Sequence, residues 1–396
     1  LFGKRNAGKS SLINALANQN ISIVSSVAGT TTDPVEKAFE LSPVGPVVFM
    51  DTAGIDDVGD LGAARVQKSL SVLQWMDIAI VVCAAGTWSE HEENILRQTK
   101  TNATPTIIVF NKVDLAQVDE PLVAKLRKEG YRVVLTSAVE RKGIDELRTA
   151  IVETVLSQTE PDRPLMGELA KAGDTVLLVT PIDTGAPKGR LILPQVQAIR
   201  ELLDAGAKCL VIKEDRITET LAELKKAPDL VVTDSQVVLR VVKEVPEPIP
   251  VTTFSIQMAY SKSDLFALAE GAAALTKLQP GDKVLIAETC SHHPLKDDIG
   301  RVKIPNWLKS VVGDVQIDVA VGKDFPTDLT PYKVIIQCGG CIVTRRHMLA
   351  RLREARAQGV PMTNYGITIS YLQGVLPRVL ACHPEAKAAF DKAISQ

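Results

Sequence analysis

The sequence predicts an α/β protein in three parts: a phosphate-loop domain of the doubly wound class, then two further α/β domains with mainly parallel sheets. Three observations carry that prediction. Short apolar runs alternate with amphipathic stretches along the whole chain. A glycine-bearing turn stands where the first strand should pass into the first helix. Two proline-rich breaks, Pro161-Asp162-Arg163-Pro164 and Pro246-Glu247-Pro248-Ile249-Pro250, interrupt the alternation.

In the first part, 1–160, the runs Val47–Met50, Ile78–Cys83 and Thr106–Phe110 read as buried parallel strands, with Leu61–Leu73 and Glu90–Lys100 as helices between them. The middle part, 165–260, offers strands at Thr175–Ile182, Lys208–Lys213 and Leu230–Thr233. The last, 264–396, opens with an Ala/Leu-rich helix over 264–278. Pro280-Gly281-Asp282 then leads into strands at Lys283–Ala287, Gln316–Ala320 and Lys333–Ile336. No internal sequence repeat stands out.

Composition narrows the function classes. Of 396 residues, 45% are hydrophobic and 23% charged, an ordinary globular mixture. Forty-five basic against 47 acidic residues leave a net charge of −2, which gives no electrostatic reason to expect nucleic acid or an anionic membrane as partner. No apolar run approaches the roughly 20 residues of a membrane helix. Six cysteines are too few for a disulfide-built secreted protein, and three of them, Cys290, Cys338 and Cys341, fall in two polar clusters. A reduced, cytoplasmic setting with a metal site suits that pattern. The chain opens Leu1-Phe2-Gly3 inside a motif, so a preceding stretch of natural chain is expected.

That motif is Gly3-Lys4-Arg5-Asn6-Ala7-Gly8-Lys9-Ser10, which fits GxxxxGK[ST]. Its glycines let backbone N–H groups and the following helix terminus face phosphates, Lys9 reaches the β- and γ-phosphates, Ser10 ligates Mg²⁺, and Ser11 opens the helix. Asp51-Thr52-Ala53-Gly54 follows the Val47–Met50 strand: Asp51 helps hold Mg²⁺ and the Gly54 amide approaches the γ-phosphate. Asn111-Lys112-Val113-Asp114 follows the next apolar run, and the Asp114 carboxylate can accept from guanine N1–H and its 2-amino group, a donor pair adenine lacks. Ser137-Ala138 can present a backbone N–H to guanine O6. Thr31, within Gly29–Asp33, stands where a switch threonine completes the Mg²⁺ shell. Five motifs in this order predict a GTPase with Lys9, Thr31 and Gly54 as its catalytic groups.

The subclass is legible too. Ile55 stands where Ras-like proteins carry the glutamine that orients water. The domain resembles the branch holding the tRNA-modifying and ribosome-assembly GTPases. In several members of that branch an asparagine at the position of Asn6 helps bind K⁺, whose charge serves where other GTPases use an arginine.

Cys290-Ser291-His292 follows the Lys283–Ala287 strand, and Cys338-Gly339-Gly340-Cys341 follows Lys333–Ile336. Loops after neighbouring parallel strands leave a sheet at one edge, so the two clusters can meet. Ligand type alone leaves open a redox dithiol, a tetrahedral zinc site that includes His292, and a three-thiolate iron–sulfur cubane. Cys83 and Cys209 read as small core hydrophobes, and Cys382 as structural.

A GTPase of this branch followed by a middle α/β domain and a carboxy-terminal CxH…CxxC domain resembles the FeFe-hydrogenase maturation GTPases, the HydF family, over essentially the whole chain, including Thr363-Asn364-Tyr365-Gly366. The resemblance implies a middle domain that dimerises and a last domain that binds a 4Fe-4S cluster through Cys290, Cys338 and Cys341. It also implies a scaffold or carrier for the diiron subcluster precursor, with the radical maturation enzymes and apo-hydrogenase as partners. Family members usually carry histidine directly before the CxxC, where this chain has Gln337, a poor iron ligand. The fourth iron site is then open, or held by His292 or Glu288. The competing reading is an RNA- or ribosome-directed GTPase with a zinc-binding tail, against which the near-neutral charge and the lack of a basic aromatic-rich patch argue.

Overall fold

The computed structural model describes residues 1–17, 35–52, 72–158, 163–182, 189–289, 298–322 and 324–395. Thr31, Gly54, Cys290 and His292, and most of the expected Leu61–Leu73 helix, lie outside them. The chain divides into two compact units, Leu1–Glu160 and Pro161–Gln396.

In the first unit β1 (Val35–Leu41) and β2 (Gly45–Asp51) form an antiparallel hairpin, while β3 (Ala79–Ala84), β4 (Thr106–Asn111) and β5 (Arg132–Leu135) form a parallel sheet. The opening residues lie between the two. Phe2 N donates to Ile80 O at 2.8 Å and Val82 N to Phe2 O at 2.7 Å, while the Leu1 amino group donates to Met50 O at 2.7 Å. Leu1-Phe2 is therefore the strand stub before the phosphate loop, as the motif requires. β3 and β4 are buried along nearly their whole length, in keeping with their unbroken apolar runs. β2 departs from expectation. It pairs antiparallel with β1 and alternates, with Val48 56% exposed and Phe49 buried against Phe39, because only one face of the hairpin meets the core.

The second unit holds two four-stranded parallel sheets. One runs β7 (Lys208–Ile212), β6 (Thr175–Val179), β8 (Leu230–Thr233), β9 (Val251–Thr253); the other runs β11 (Gln316–Ala320), β10 (Lys283–Ala287), β12 (Val334–Gln337), β13 (Met362–Asn364). In each, the second strand precedes the first, third and fourth. The Ala/Leu-rich stretch expected as one helix is a helix over Leu265–Gly271 followed by a 3₁₀ segment over Ala272–Lys277. Gly271 lies so close to the Met362 carbonyl that a Cβ there would collide with it.

The matching strand order reflects a repeat that composition and spacing did not reveal. Gly173-Asp174-Thr175-Val176-Leu177-Leu178 corresponds to Gly281-Asp282-Lys283-Val284-Leu285-Ile286. Likewise Pro250-Val251-Thr252-Thr253-Phe254-Ser255-Ile256 corresponds to Pro361-Met362-Thr363-Asn364-Tyr365-Gly366-Ile367. The hydrogen bonds repeat as well. Asp174 caps Lys171 N and Asp282 caps Gln279 N, both at 2.8 Å; Val231 N meets Pro250 O and Ile335 N meets Pro361 O, both at 2.9 Å. Thr253 and Asn364 cap equivalent helices, Phe254–Lys262 and Tyr365–Leu372. These two helices meet at equivalent residues, Gly366 N donating to Ser255 Oγ at 3.1 Å.

Candidate functional site

In the first unit the phosphate loop joins the strand stub to the helix Lys9–Ala17, whose first bond is Leu12 N to Gly8 O. Gly3 passes against the Val82 carbonyl and Gly8 against the Asn111 side chain, and both have positive φ, so neither position accepts a Cβ. Asn6 is exposed with φ 59°. Lys9 is buried, its ammonium held by the carbonyls of Gly3 at 2.8 Å and Lys4 at 3.0 Å. Ser10 Oγ donates to the Asp51 carboxylate, so the two expected Mg²⁺ ligands already lie together. Ser11 is exposed on the helix's first turn.

Asn111 is 1% exposed and ties three segments together. Its Nδ2 donates to Ala7 O at 3.0 Å, and its Oδ1 accepts from Thr136 Oγ1 at 3.1 Å and Ala138 N at 3.2 Å. This side chain thus positions the phosphate loop and the Ser137-Ala138 turn relative to each other. Ser137 is buried and its Oγ accepts from Glu140 N, shaping the same turn. Lys112, at φ 64°, turns the chain after β4, and Asp114 is exposed beyond it, free to meet a base.

The second candidate site is the carboxyl edge of β10 and β12. Ala287 and Gln337 are register partners, so Glu288-Thr289 and Cys338 leave the sheet side by side. Thr289 presents its N–H and hydroxyl to Cys338 Sγ at 3.2 and 3.1 Å, directly before position 290. Gln337, 1% exposed, is a second neighbour: its Nε2 lies 3.8 Å from Cys338 Sγ, and its Oε1 accepts from Arg351 at 3.3 Å. Arg351 also donates to Glu288 O and Gly322 O and stacks over Phe325 at 4.8 Å. Burial works against its charge, while the neighbouring Cys338 favours it. Cys341 packs against the hydrophobic cluster that includes Leu165, Met166 and Met258; burial pushes its thiol pKa up, Cys338 adds to that, and Lys262 opposes both.

Glu288 was expected as a possible iron ligand. Its carboxylate is 1% exposed and engaged by Arg301, Nη2 at 2.8 Å and Nε at 3.3 and 3.4 Å. Ligation would strip a buried carboxylate of its partner, a costly exchange. The structure assigns Glu288 to Arg301. Among the described residues no group of three or more His, Cys, Asp or Glu side chains converges on a point; Cys290 and His292 lie outside them. Thr289, Arg301, Arg351 and Lys262 were not foreseen, since nothing local in their sequence marks them. Cys83 is 1% exposed, its pKa raised to about 11 by burial, as a core thiol should be. No helix among the described residues is long and apolar enough to cross a membrane.

Comparison with known proteins assigns each part. Residues 165–263 match the hydrogen maturase F dimerization domain and 266–382 the hydrogen maturase F tetramerization domain, together more than half the chain. Residues 1–112 match the 50S ribosome-binding GTPase model, so the first unit carries a GTPase domain, which binds GTP or GDP with Mg²⁺. The tRNA modification GTPase MnmE of Trichormus variabilis is 35% identical over 203 residues, 50% of this chain and 41% of that protein. The Bacillus cereus counterpart is 32% identical over 199 residues, 47% of this chain and 43% of that one. The chain thus spans less than half the length of these relatives. Among solved structures, Era Y63A of Aquifex aeolicus bound to GDP and AlF4⁻ is 22% identical over 57% of this chain and 97% of its own, with a TM-score of 0.35.

Proposed function

This chain belongs to the hydrogen maturase F family, and from that premise we propose that it is a GTP-hydrolysing scaffold that holds a 4Fe-4S cluster and passes the diiron subcluster precursor to apo FeFe-hydrogenase. Lys9, Thr31 and the Gly54 amide serve the γ-phosphate, with Ser10, Thr31 and Asp51 around Mg²⁺. Asn6, at the exposed bend of the phosphate loop, takes part in binding K⁺. Asp114 selects guanine.

The observation that carries the cluster reading is the contact of Thr289 with Cys338 Sγ. Thr289 directly precedes Cys290 in the sequence, so the chain leading into that motif departs from the sheet beside the CxxC turn. Cys290, Cys338 and Cys341 are soft thiol donors suited to iron, and N–H donors already reach one sulfur. When bound, a cubane with three protein thiolates leaves one iron able to exchange ligands. Arg301 keeps Glu288 out of that role, and Gln337 serves as a donor to sulfur rather than as a ligand.

The chain would self-associate through its middle module. Leu193, Val196 and Leu203 on the helix Leu193–Asp204 and Val211 on the sheet-edge strand β7 are exposed apolar side chains, well placed for pairing across a two-fold axis. GTP hydrolysis would switch contacts with the maturation partners. The zinc-tailed RNA-directed alternative draws support only from the first unit's relatives.

Iron, sulfide and zinc analysis of anaerobically purified protein tests the reading. Brown protein containing iron and sulfide, with both lost in Cys338→Ser and Cys341→Ser, is the expected result. Colourless protein holding one zinc per chain would sink it.

A further inference from the structure

The two modules of the second unit grip each other through a reciprocal pair of cations. Lys262, the last residue of the helix Phe254–Lys262 in the first module, places its ammonium on three carbonyls of the CxxC turn: Gly340 O at 3.4 Å, Cys341 O at 3.0 Å and Val343 O at 2.8 Å. Arg345, the first residue of the helix Arg345–Ala357 that follows this turn, donates back to Ser261 O at 2.8 Å and Ser263 O at 2.7 Å. The second contact has an ordinary cause, because carbonyls at a helix carboxyl end lack helical partners and carry partial negative charge. The first does not. It directs one ammonium at three carbonyls of a non-helical turn that carries two thiols.

The internal repeat supplies the comparison. By the register of the two modules, Lys262 corresponds to Gln373 and Cys338 to Asp234, whose N–H donates to Val179 O as that of Cys338 donates to Ala287 O. The helix packed on the thiol-free turn is therefore capped by a neutral side chain, Gln373, with its Oε1 unpartnered among the described residues. The helix packed on the thiol-bearing turn ends in a cation. The charge accompanies the thiols.

We propose that Lys262 is a positioning residue of the cluster site, supplied by the middle module: it fixes the Cys338–Cys341 turn in its ligating shape and offsets the negative charge of thiolates and cluster. This rests on the cluster reading above. With Nζ on the carbonyls of Gly340, Cys341 and Val343, the peptide groups on either side of Cys341 are held against rotation. The positive charge also favours the more reduced, more negative state of a bound cluster. The middle module is then part of the metal site as well as a platform for self-association.

The test uses the full chain, reconstituted anaerobically with iron and sulfide, comparing wild type with Lys262→Met, Lys262→Arg and Arg345→Met. Lys262→Met should lose iron to a ferrous chelator at least about tenfold faster than wild type and titrate at a more negative midpoint potential. Lys262→Arg should recover most of both. Arg345→Met breaks the reciprocal contact and should lower the melting temperature without moving the potential. Should Lys262→Met not fold, Lys262→Gln, carrying the other module's residue, is read in the same way. Unchanged iron loss and potential in a folded Lys262 variant overturn the proposal, as do equal potential shifts in the Lys262 and Arg345 variants. Wild type that takes up no iron overturns instead the cluster reading on which it stands.

Discussion

Replacing Asn111 with Ala should disable the nucleotide site without touching a residue expected to meet phosphate. Three hydrogen bonds go with the amide, two buried, to Ala7 O and from Thr136 Oγ1, and one part-buried, from Ala138 N. The Thr136 hydroxyl can rotate to another acceptor, but Ala7 O and Ala138 N are main-chain groups and cannot. A stranded buried partner costs about 1–3 kcal/mol, so the two together cost about 3 kcal/mol after partial relaxation. Nucleotide binding requires the phosphate loop and the guanine-side turn in fixed relation, and that relation is what Asn111 maintains. If the full loss falls on the bound state, GDP affinity drops about 100-fold. Equilibrium titration with a fluorescent GDP analogue at constant Mg²⁺ measures it, with circular dichroism to verify the fold. Gly8→Ala should give a comparable loss from the other side, because the added Cβ collides with the Asn111 amide. An Asn111→Ala protein that keeps its fold and binds GDP within about threefold of wild type would refute the tethering argument.

GTP hydrolysis should be slow and stimulated much more by K⁺ than by Na⁺, with the difference abolished in Asn6→Ala; equal rates in the two salts would remove the cation from the mechanism. His383 gives a pH dependence of known sign. Its ring is half-buried beside Tyr260 and its Nε2 lies 2.9 Å from Gln257 Nε2, and this burial lowers its pKa to about 4 from 6.5. Below pH 6.5 the unfolded chain takes up a proton that the folded chain refuses. The stabilisation linked to His383 is therefore complete above pH 6.5, declines as pH falls and is gone near pH 4. Its ceiling is about 3 kcal/mol, reduced by the ring's partial exposure. Urea midpoints should fall more steeply between about pH 6.5 and 4 in wild type than in His383→Asn, and parallel slopes would show that His383 does not carry the effect.

The sequence by itself determined the parts whose physics is local. A phosphate loop is a strand, a turn and a helix terminus in succession, so Gly3 to Ser10 could be read off the chain, as could Asp51 and the Asn111–Asp114 segment, each at a strand end. The apolar runs of β3, β4, β6, β8, β10 and β12 announced buried parallel strands, because a strand covered on both faces has no polar side to show. The place of Cys338 at a shared sheet edge followed from the parallel order alone. Where only one face is covered the signal weakened, and β2 was read as parallel although it lies in a hairpin.

What the tertiary structure decided are relations between residues far apart in the chain. Asn111 was expected among the nucleotide-binding residues; its amide tethers Ala7 and Ala138, 104 and 27 positions away. Glu288 was named as a candidate iron ligand, and folding places Arg301 against its carboxylate. Its partner could not be inferred because a buried carboxylate must be neutralised by whatever cation packing delivers. The repeat within the second unit escaped the sequence for a similar reason. Strand and cap positions tolerate exchange among apolar or capping residues, so two modules can retain one hydrogen-bond pattern while few identities survive. Only once the strand registers of the two modules are matched does Lys262 stand out as the charged counterpart of Gln373, set on the turn that carries the thiols.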